Sequence, residues 1–332
     1  MMKYTVVVPV FNGEDTIAEC LASLLQQRDV TFGQDYHIVV IDDGSTDKTN
    51  QIVRQFPVEV IQLPKNEGRI IARLTGAKHA RAQRLLFVDS RIVVSPDTLS
   101  KLEEFRDHPA VIGELKVEGT KYDTVFNTVL YLIRRKYYGK ENFPMQADQL
   151  VISDKNFKRA PKGTALLLIV RDLFIELTPK RTGKEVNDDT LLFHNLVYQK
   201  RLNLLRSKKL LFQYSLRTDP RQFSNWLFHR GVRFTDFYLR PGGYFFVPFL
   251  LLLLFGLAGT MAAFLTEHGL CYLLTALLSL NTALTLYLSE EGRDYARVFF
   301  SLPVIASIFG LGIARFWAGK FRSAFSSAKN IG

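Results

Sequence analysis

Five short clusters in this chain carry side chains whose types and spacing could do chemistry. Asp42-Asp43 closes the apolar run His37-Ile38-Val39-Val40-Ile41 and is followed by Gly44-Ser45-Thr46-Asp47. Asp89 closes a second apolar run, Leu85-Leu86-Phe87-Val88, with Arg91 two residues further on. Arg69 and Arg73 lie four apart behind Asn66-Glu67-Gly68. Asp188-Asp189 stands in front of Thr190-Leu191-Leu192, and Pro9-Val10-Phe11-Asn12-Gly13-Glu14 ends the first apolar run. Acids at the carboxyl end of a buried strand sit where open α/β sheets bind their ligands. Each cluster also has a plainer reading. Asp-Asp-Gly-Ser makes an ordinary strand–turn–helix corner, acids before a helix serve its N-terminus and dipole, and arginines four apart form a solvated face.

The elements that must position these residues are legible. Tyr4 to Val10, His37 to Ile41, Val58 to Leu63, Leu85 to Val88 and Ala165 to Val170 read as strands buried on both faces. Helical spacing follows most of them: Ile17, Leu21, Leu24 and Leu25, then Lys48 to about Phe56, then about Ile70 to Ala82. Gly44 permits the positive φ of a sharp turn, and Pro96 suits the first turn of a helix. Val111 to Val117 reads as a further strand and Asp123 to Tyr138 as a helix with Arg134, Arg135 and Lys136, lying on lipid or packed in a core. Strands alternating with helices imply an α/β fold with a mostly parallel sheet and covered faces.

The chain has 332 residues and a net charge of +11, which favours an anionic partner such as a phosphorylated substrate, membrane lipid or nucleic acid. Cys20 and Cys271 are far apart and lack metal-type spacing, so neither a disulfide framework nor a zinc site is expected. Met-Met-Lys-Tyr leads straight into a strand, which predicts a first domain that stays in the cytosol. Past a basic stretch from Lys200 to Arg240 the composition changes. Tyr244 to Thr266 and Gly269 to Ser289 are long enough to span a bilayer, and Val298 to Ala314 is a third, shorter segment containing Pro303. Basic residues before the first span place that side in the cytosol. By the same rule Lys320, Arg322 and Lys329 sit badly outside, so the third segment is read as spanning, re-entrant or interfacial. Nucleic acid explains the charge but not these spans, and no nucleic-acid partner is expected.

Together the clusters resemble a membrane-anchored family 2 glycosyltransferase of the GT-A fold. The resemblance rests on Val7-Val8-Pro9-Val10-Phe11-Asn12-Gly13-Glu14, on Val40-Ile41-Asp42-Asp43-Gly44-Ser45-Thr46-Asp47, and on Asn66-Glu67-Gly68 with Ala72-Arg73 and Gly76. Phe87-Val88-Asp89-Ser90-Arg91 stands in the place of the family's Asp-x-Asp, Asp188-Asp189 resembles its Glu-Asp pair, and Gln222-Phe223-Ser224-Asn225-Trp226 its Gln-x-x-Arg-Trp. The resemblance covers about residues 3 to 240. It implies domains at 1–240 (cytosolic GT-A), 241–318 (two or three transmembrane helices) and 319–332 (a basic tail).

What the resemblance implies is an inverting transfer of a sugar from a nucleotide-diphosphate sugar to a lipid-linked acceptor. Its setting is the cell (inner) membrane, multi-pass, with membrane lipids as partners. Pro9, Phe11, Asn12, Glu14, Asp42, Asp43, Gly68, Arg69, Arg73, Asp89 and Arg91 would take the donor. Asp189 would be the base and Asp188 would orient the acceptor or loop. Gly163, Thr164, Gln222, Trp226 and Arg230 would meet acceptor or diphosphate. Asp89 would hold Mg2+ or Mn2+, with Arg91 in place of the usual second acid either entering the same pocket or turning outward. A polyprenyl-phosphate acceptor is the alternative within the enzyme class, and a non-catalytic sugar-nucleotide-binding scaffold is the alternative outside it.

Overall fold

The structure is a computed structural model that describes residues 2–116, 124–180, 186–217, 219–239, 241–243 and 245–329. It divides into two compact units. The first comprises Met1–Lys121 and Tyr137–Leu216, the second Tyr122–Lys136 and Arg217–Gly332.

The first unit is built on one mixed sheet. Strands β1 (Tyr4–Val10), β2 (Tyr36–Asp42), β3 (Glu59–Gln62) and β4 (Arg84–Val88) alternate with helices α1 (Ile17–Leu25), α2 (Thr49–Val53) and α3 (Arg69–His79). These four strands are parallel, in the order β3-β2-β1-β4. β2 is buried along its whole length, as its β-branched run requires when helices cover both faces. The order reverses direction beyond β4. After β5 (Ile92–Val94), β6 (Ala110–Leu115), α4 (Val125–Tyr138) and β7 (Gln149–Ile152), strand β8 (Leu166–Val170) joins β4 antiparallel. β8 leads directly into α5 (Arg171–Leu177), and α6 (Asp188–His194) runs on into a π turn at Asn195–Gln199. Strand β9 (Leu204–Tyr214) then pairs with β6, β5 and β7.

The register of β8 decides which residues share an edge of the sheet. Val88 of β4 faces Leu166 of β8, so the start of β8 lies on the same sheet edge as the ends of β1 to β4. That edge gathers the clusters of acids and arginines. Two apolar layers back the sheet, one under α1 (Ile17, Leu21, Leu24 with Val6, Val8, Ile38, Val40) and one under α3 and α6 (Ala72, Ala77, Phe193 with Val7, Val39, Ile41).

Three features depart from the sequence reading. β9 was not anticipated, because Arg206, Lys208 and Lys209 interrupt its apolar run; Arg206 is nevertheless buried and paired with buried Glu114. The helix expected after Pro96 is a 3-10 turn at Ser100–Phe105. β5 and β7 are too short, at three and four residues, to show a period.

The second unit holds most of α4 with α7 (Pro220–Tyr238), α8 (Phe246–Phe264), α9 (Gly269–Leu288) and α10 (Gly292–Lys329). Among the described residues, three helices are long and apolar enough to cross a membrane: Phe246–Phe264, Gly269–Leu288 and Gly292–Lys320. α10 continues through Pro303, so no reversal of the chain makes this segment re-entrant. α7 and α10 approach closely where each has a glycine. A Cβ on Gly231 would lie 2.3 Å from the Phe309 carbonyl oxygen, and one on Gly312 would lie 2.1 Å from that of Phe228. Val129, Leu132, Phe223, Leu227, Leu288, Val298 and Ile305 form the core of this unit.

Candidate active site

The corner after β1 is zipped to the corner after β2. Asn12 takes the left-handed conformation (φ 49°), and its backbone N–H donates to Ser45 Oγ at 3.0 Å. Its side-chain oxygen accepts from the Thr46 N–H at 2.9 Å, while Gly13 N–H donates to Thr49 Oγ1 at 2.8 Å. Glu14 Oε2 accepts from the Lys48 N–H at 3.0 Å, and Asp47 accepts from the backbone N–H groups of Glu14 and Thr49. Burial alone would raise the Asp47 carboxyl, but these bonds and that of the Thr49 hydroxyl outweigh it and hold it below the usual range. Phe11 projects from this corner with 45% of its surface exposed, an open aromatic face beside an ordered polar turn.

Asp42, expected to meet a nucleotide, is turned into the corner. It is fully buried, one oxygen accepting from Ser45 N–H and the other from the Asn50 amide. Asp43 reaches across to the loop after β3, accepting from Glu67 N–H at 2.7 Å and Gly68 N–H at 2.9 Å. Two glycines make this crossing possible. Gly44 has φ 70°, and a Cβ there would lie 2.5 Å from the Lys65 backbone; Gly68 has φ 92° at the N-cap of α3. Asp43 thereby sets where α3 begins, and α3 carries Arg69 and Arg73.

Arg73 is the centre of the site. Its Nη1 donates to Asp189 Oδ1 at 2.9 Å and its Nη2 to Thr164 Oγ1 at 2.6 Å. Thr164 closes the triangle by donating to Asp189 Oδ1 at 2.7 Å. Three separate parts of the chain meet here: α3, the turn before β8 and the first turn of α6. The Arg73 side chain is 9% exposed and that of Asp189 26%, so the carboxylate can be reached from solvent while its partner is buried. Burial would raise the Asp189 carboxyl, but the charges of Arg69 and Arg73 and the bonds from Thr164 and Arg73 outweigh it and hold the group far below the usual range. Asp188 begins α6, whose cap is the Asn187 side chain accepting from Thr190 N–H.

Asp89 lies on the same edge, its N–H donating to the Ala165 carbonyl at 2.8 Å. One of its carboxylate oxygens accepts from Arg91 N–H at 3.0 Å. The Arg91 guanidinium bonds the Ser215 carbonyl through Nε at 3.1 Å and Nη2 at 2.5 Å, and lies 5.7 Å from the centre of the Tyr214 ring. The end of β9 presents this carbonyl within reach of the guanidinium. Gly163 has open space where a Cβ would be.

In the second unit, Gln222 in the first turn of α7 donates its N–H to the Asp219 cap, and Trp226 follows one turn later. Arg217 and Arg230 stand over the Trp226 ring at 5.5 and 5.6 Å from its centre. In the first unit, Pro9 is half-buried, one residue before the end of β1 at Val10.

Residues 5–158 match the description Glycosyl transferase family 2. This part of the chain is similar to that family. Among curated relatives, the poly(ribitol-phosphate) beta-glucosyltransferase of Bacillus spizizenii is 36% identical over 124 residues, 35% of this chain and 19% of the relative. The undecaprenyl-phosphate 4-deoxy-4-formamido-L-arabinose transferase of Edwardsiella ictaluri is 29% identical over 119 residues, 34% of this chain and 36% of the relative. The match thus spans about a fifth to a third of the length of these relatives. In fold the chain is similar to a mannosyltransferase from Pyrobaculum calidifontis in complex with GDP-Man and Mn2+, with a TM-score of 0.60 at 17% identity. That similarity covers 95% of this chain and 87% of the other.

At this sheet edge Asp89 is the residue expected to hold a divalent cation. Among the described residues no group of three or more His, Cys, Asp and Glu converges. Asp89 keeps a second oxygen beyond the one that accepts from Arg91, and magnesium needs only one or two carboxylates when phosphate oxygens and water complete the shell. The residues therefore fit a cation shared with a diphosphate rather than a preformed cage.

Two residues that support this site escape sequence reasoning. Lys162 places its ammonium on the carbonyls of Phe157 and Ala160 and over the Phe157 ring, bracing the turn that delivers Thr164; burial pushes it down to about 8. Cys20 of α1 directs its thiol to the Asp89 carbonyl at 3.7 Å. A lysine before Gly-Thr is a faint signal for the first, and nothing in the sequence marks the second.

Proposed function

We propose that this protein is an inverting glycosyltransferase that moves a sugar from a nucleoside-diphosphate sugar to a lipid-linked acceptor at the cytosolic face of a membrane. The observation that carries the reading is the meeting of Arg73, Thr164 and Asp189 on the sheet edge that also holds Asp89 and Phe11. Pro9, Phe11, Asn12 and Glu14 line the nucleoside side, with Asp42 and Asp43 holding the turns. Arg69 and Arg73 face the diphosphate, and Gly68 lets the backbone approach it.

Asp189 takes the proton of the acceptor hydroxyl. The acceptor oxygen attacks the anomeric carbon, the bond from that carbon to the diphosphate oxygen breaks, and its electron pair leaves with the diphosphate. A single displacement inverts the anomeric configuration. A divalent cation bound at Asp89 would supply further charge stabilisation to the leaving diphosphate. Gln222, Trp226 and Arg230 are assigned to the acceptor or its phosphate.

The three apolar helices and the basic residues ahead of them support a multi-pass protein of the cell (inner) membrane with its first unit in the cytosol. A lipid phosphate as acceptor is a second reading, favoured by the named undecaprenyl-phosphate relative. A donor screen with purified protein and lipid extract tests transfer, and lability of the product to mild acid separates a sugar phosphate from a glycoside. Asp189→Asn keeps the side chain's shape but removes the proton acceptor. Turnover is expected to fall about a hundredfold or more while donor affinity is retained. Near-normal turnover would remove Asp189 from the role of base.

A further inference from the structure

Asp189 is well placed to be a base and poorly prepared to act as one. Its Oδ1 accepts from both Arg73 Nη1 (2.9 Å) and Thr164 Oγ1 (2.7 Å), and Arg73 itself is buried between these two partners. A carboxylate held by a guanidinium and a hydroxyl is a weak proton acceptor, because protonation would cost the ion pair. The groups that bear on it from the packed elements are Arg69 and Arg73 of α3 and Thr164 from the turn before β8. Both arginines belong to the helix whose N-terminus Asp43 fixes on the ligand-binding edge.

We propose that the diphosphate of the donor unlocks the base: it draws Arg73 away from Asp189 by competing for the same guanidinium, and only then can Asp189 accept a proton. Thr164 is the positioning residue of this exchange, holding Asp189 in place while Arg73 changes partner. The inference rests on the reading of Asp189 as the base of a glycosyltransferase. Diphosphate is the stronger competitor because it presents several anionic oxygens to a fork-shaped donor that binds phosphate as readily as carboxylate. Once Arg73 is shared with phosphate, burial is no longer offset to the same degree and the carboxylate becomes more basic. The exchange orders the reaction. An acceptor that arrives first meets a base that cannot deprotonate it, and a donor that arrives first arms the site.

The test uses the full chain in detergent micelles and does not depend on sugar transfer. A water-soluble carbodiimide attacks carboxyl groups in their protonated form, so its rate at Asp189 reports how tightly the group is held ionised. Modification is measured by peptide mass spectrometry at pH 6, with and without inorganic pyrophosphate. Pyrophosphate is expected to raise the rate at Asp189 several-fold while leaving distant carboxylates such as Asp107 unchanged. Thr164→Val and Arg73→Gln are expected to react faster at the outset and to respond less. A rate at Asp189 that pyrophosphate leaves unchanged or lowers in the parent protein would overturn the proposal. A faster rate in a protein that transfers no sugar from any donor would keep the exchange and remove the catalytic reading, so the two failures are distinguishable.

Discussion

At the scale of single residues, the site is a set of acids given different tasks by what surrounds them. Asp42 and Asp43 are consumed by backbone and amide donors, Asp189 is paired with Arg73, and Asp89 keeps one oxygen available. Metal dependence should follow this division. Asp89→Asn is expected to flatten the response of turnover to added magnesium or manganese. Arg91→Ala should leave that response unchanged and instead lower stability by about 1–2 kcal/mol through loss of the Ser215 bond. Metal titrations of both variants decide it, and a shifted metal curve in Arg91→Ala would return Arg91 to the charge-stabilising machinery. Acid stability follows from the same partners. Asp47 and Asp189 are both depressed in the folded protein, so their contribution is full above the unfolded value of about 4 and is lost as pH falls through the folded values. Thermal midpoints in detergent should therefore fall below about pH 4. The fall should be shallower in Asp189→Asn.

At the scale of elements, α3 is the part whose placement matters most. Gly76 lets it lie against the sheet, since a Cβ there would stand 2.2 Å from Val7 Cγ1. Gly76→Ala is expected to cost about 1–3 kcal/mol by overpacking. It should also weaken nucleotide binding, because lifting α3 moves Arg69 and Arg73. Gly163→Ala is the contrast, with open space at its Cβ and an expected stability change within about 0.5 kcal/mol. Thermal midpoints and nucleotide titrations of the two variants test both statements, and an unperturbed Gly76→Ala would mean that α3 has freedom to adjust.

At the scale of the whole molecule, the long apolar helices are also packing members of the second unit. α10 packs on α7 at Gly231 and Gly312, and with α4 and α7 it encloses Val129, Leu132, Phe223 and Leu227. At 1.5 Å per residue its length is about 57 Å, well beyond the ~30 Å of a bilayer core. The full chain is expected to stay with membranes through high salt and alkaline washing and to leave only in detergent. Deleting everything beyond Gly243 should not yield a soluble protein, because α7 then loses the helix that covers its apolar face. Release of that truncated chain by salt alone would show that charge, rather than exposed apolar surface, holds it to lipid.

The clusters at strand ends, the buried parallel strands and the apolar helices are local properties, written in composition and period, and they are legible without coordinates. The run Ile38-Val39-Val40-Ile41 reads as a buried strand from its residue types alone, and Gly44 after two acids reads as a turn. The triangle of Arg73, Thr164 and Asp189 is not local. Its members are 91, 116 and 25 residues apart, and the antiparallel insertion of β8 beside β4 brings Thr164 to the edge where α3 begins. The same holds for Arg91, whose partner Ser215 lies 124 residues away at the end of a strand whose charges hide its period. Residue types name the candidates for chemistry because ionisation and hydrogen bonding belong to side chains. Which carboxylate is consumed by the turn, which is paired and which stays open depends on long-range register, and that is a property of the folded sheet.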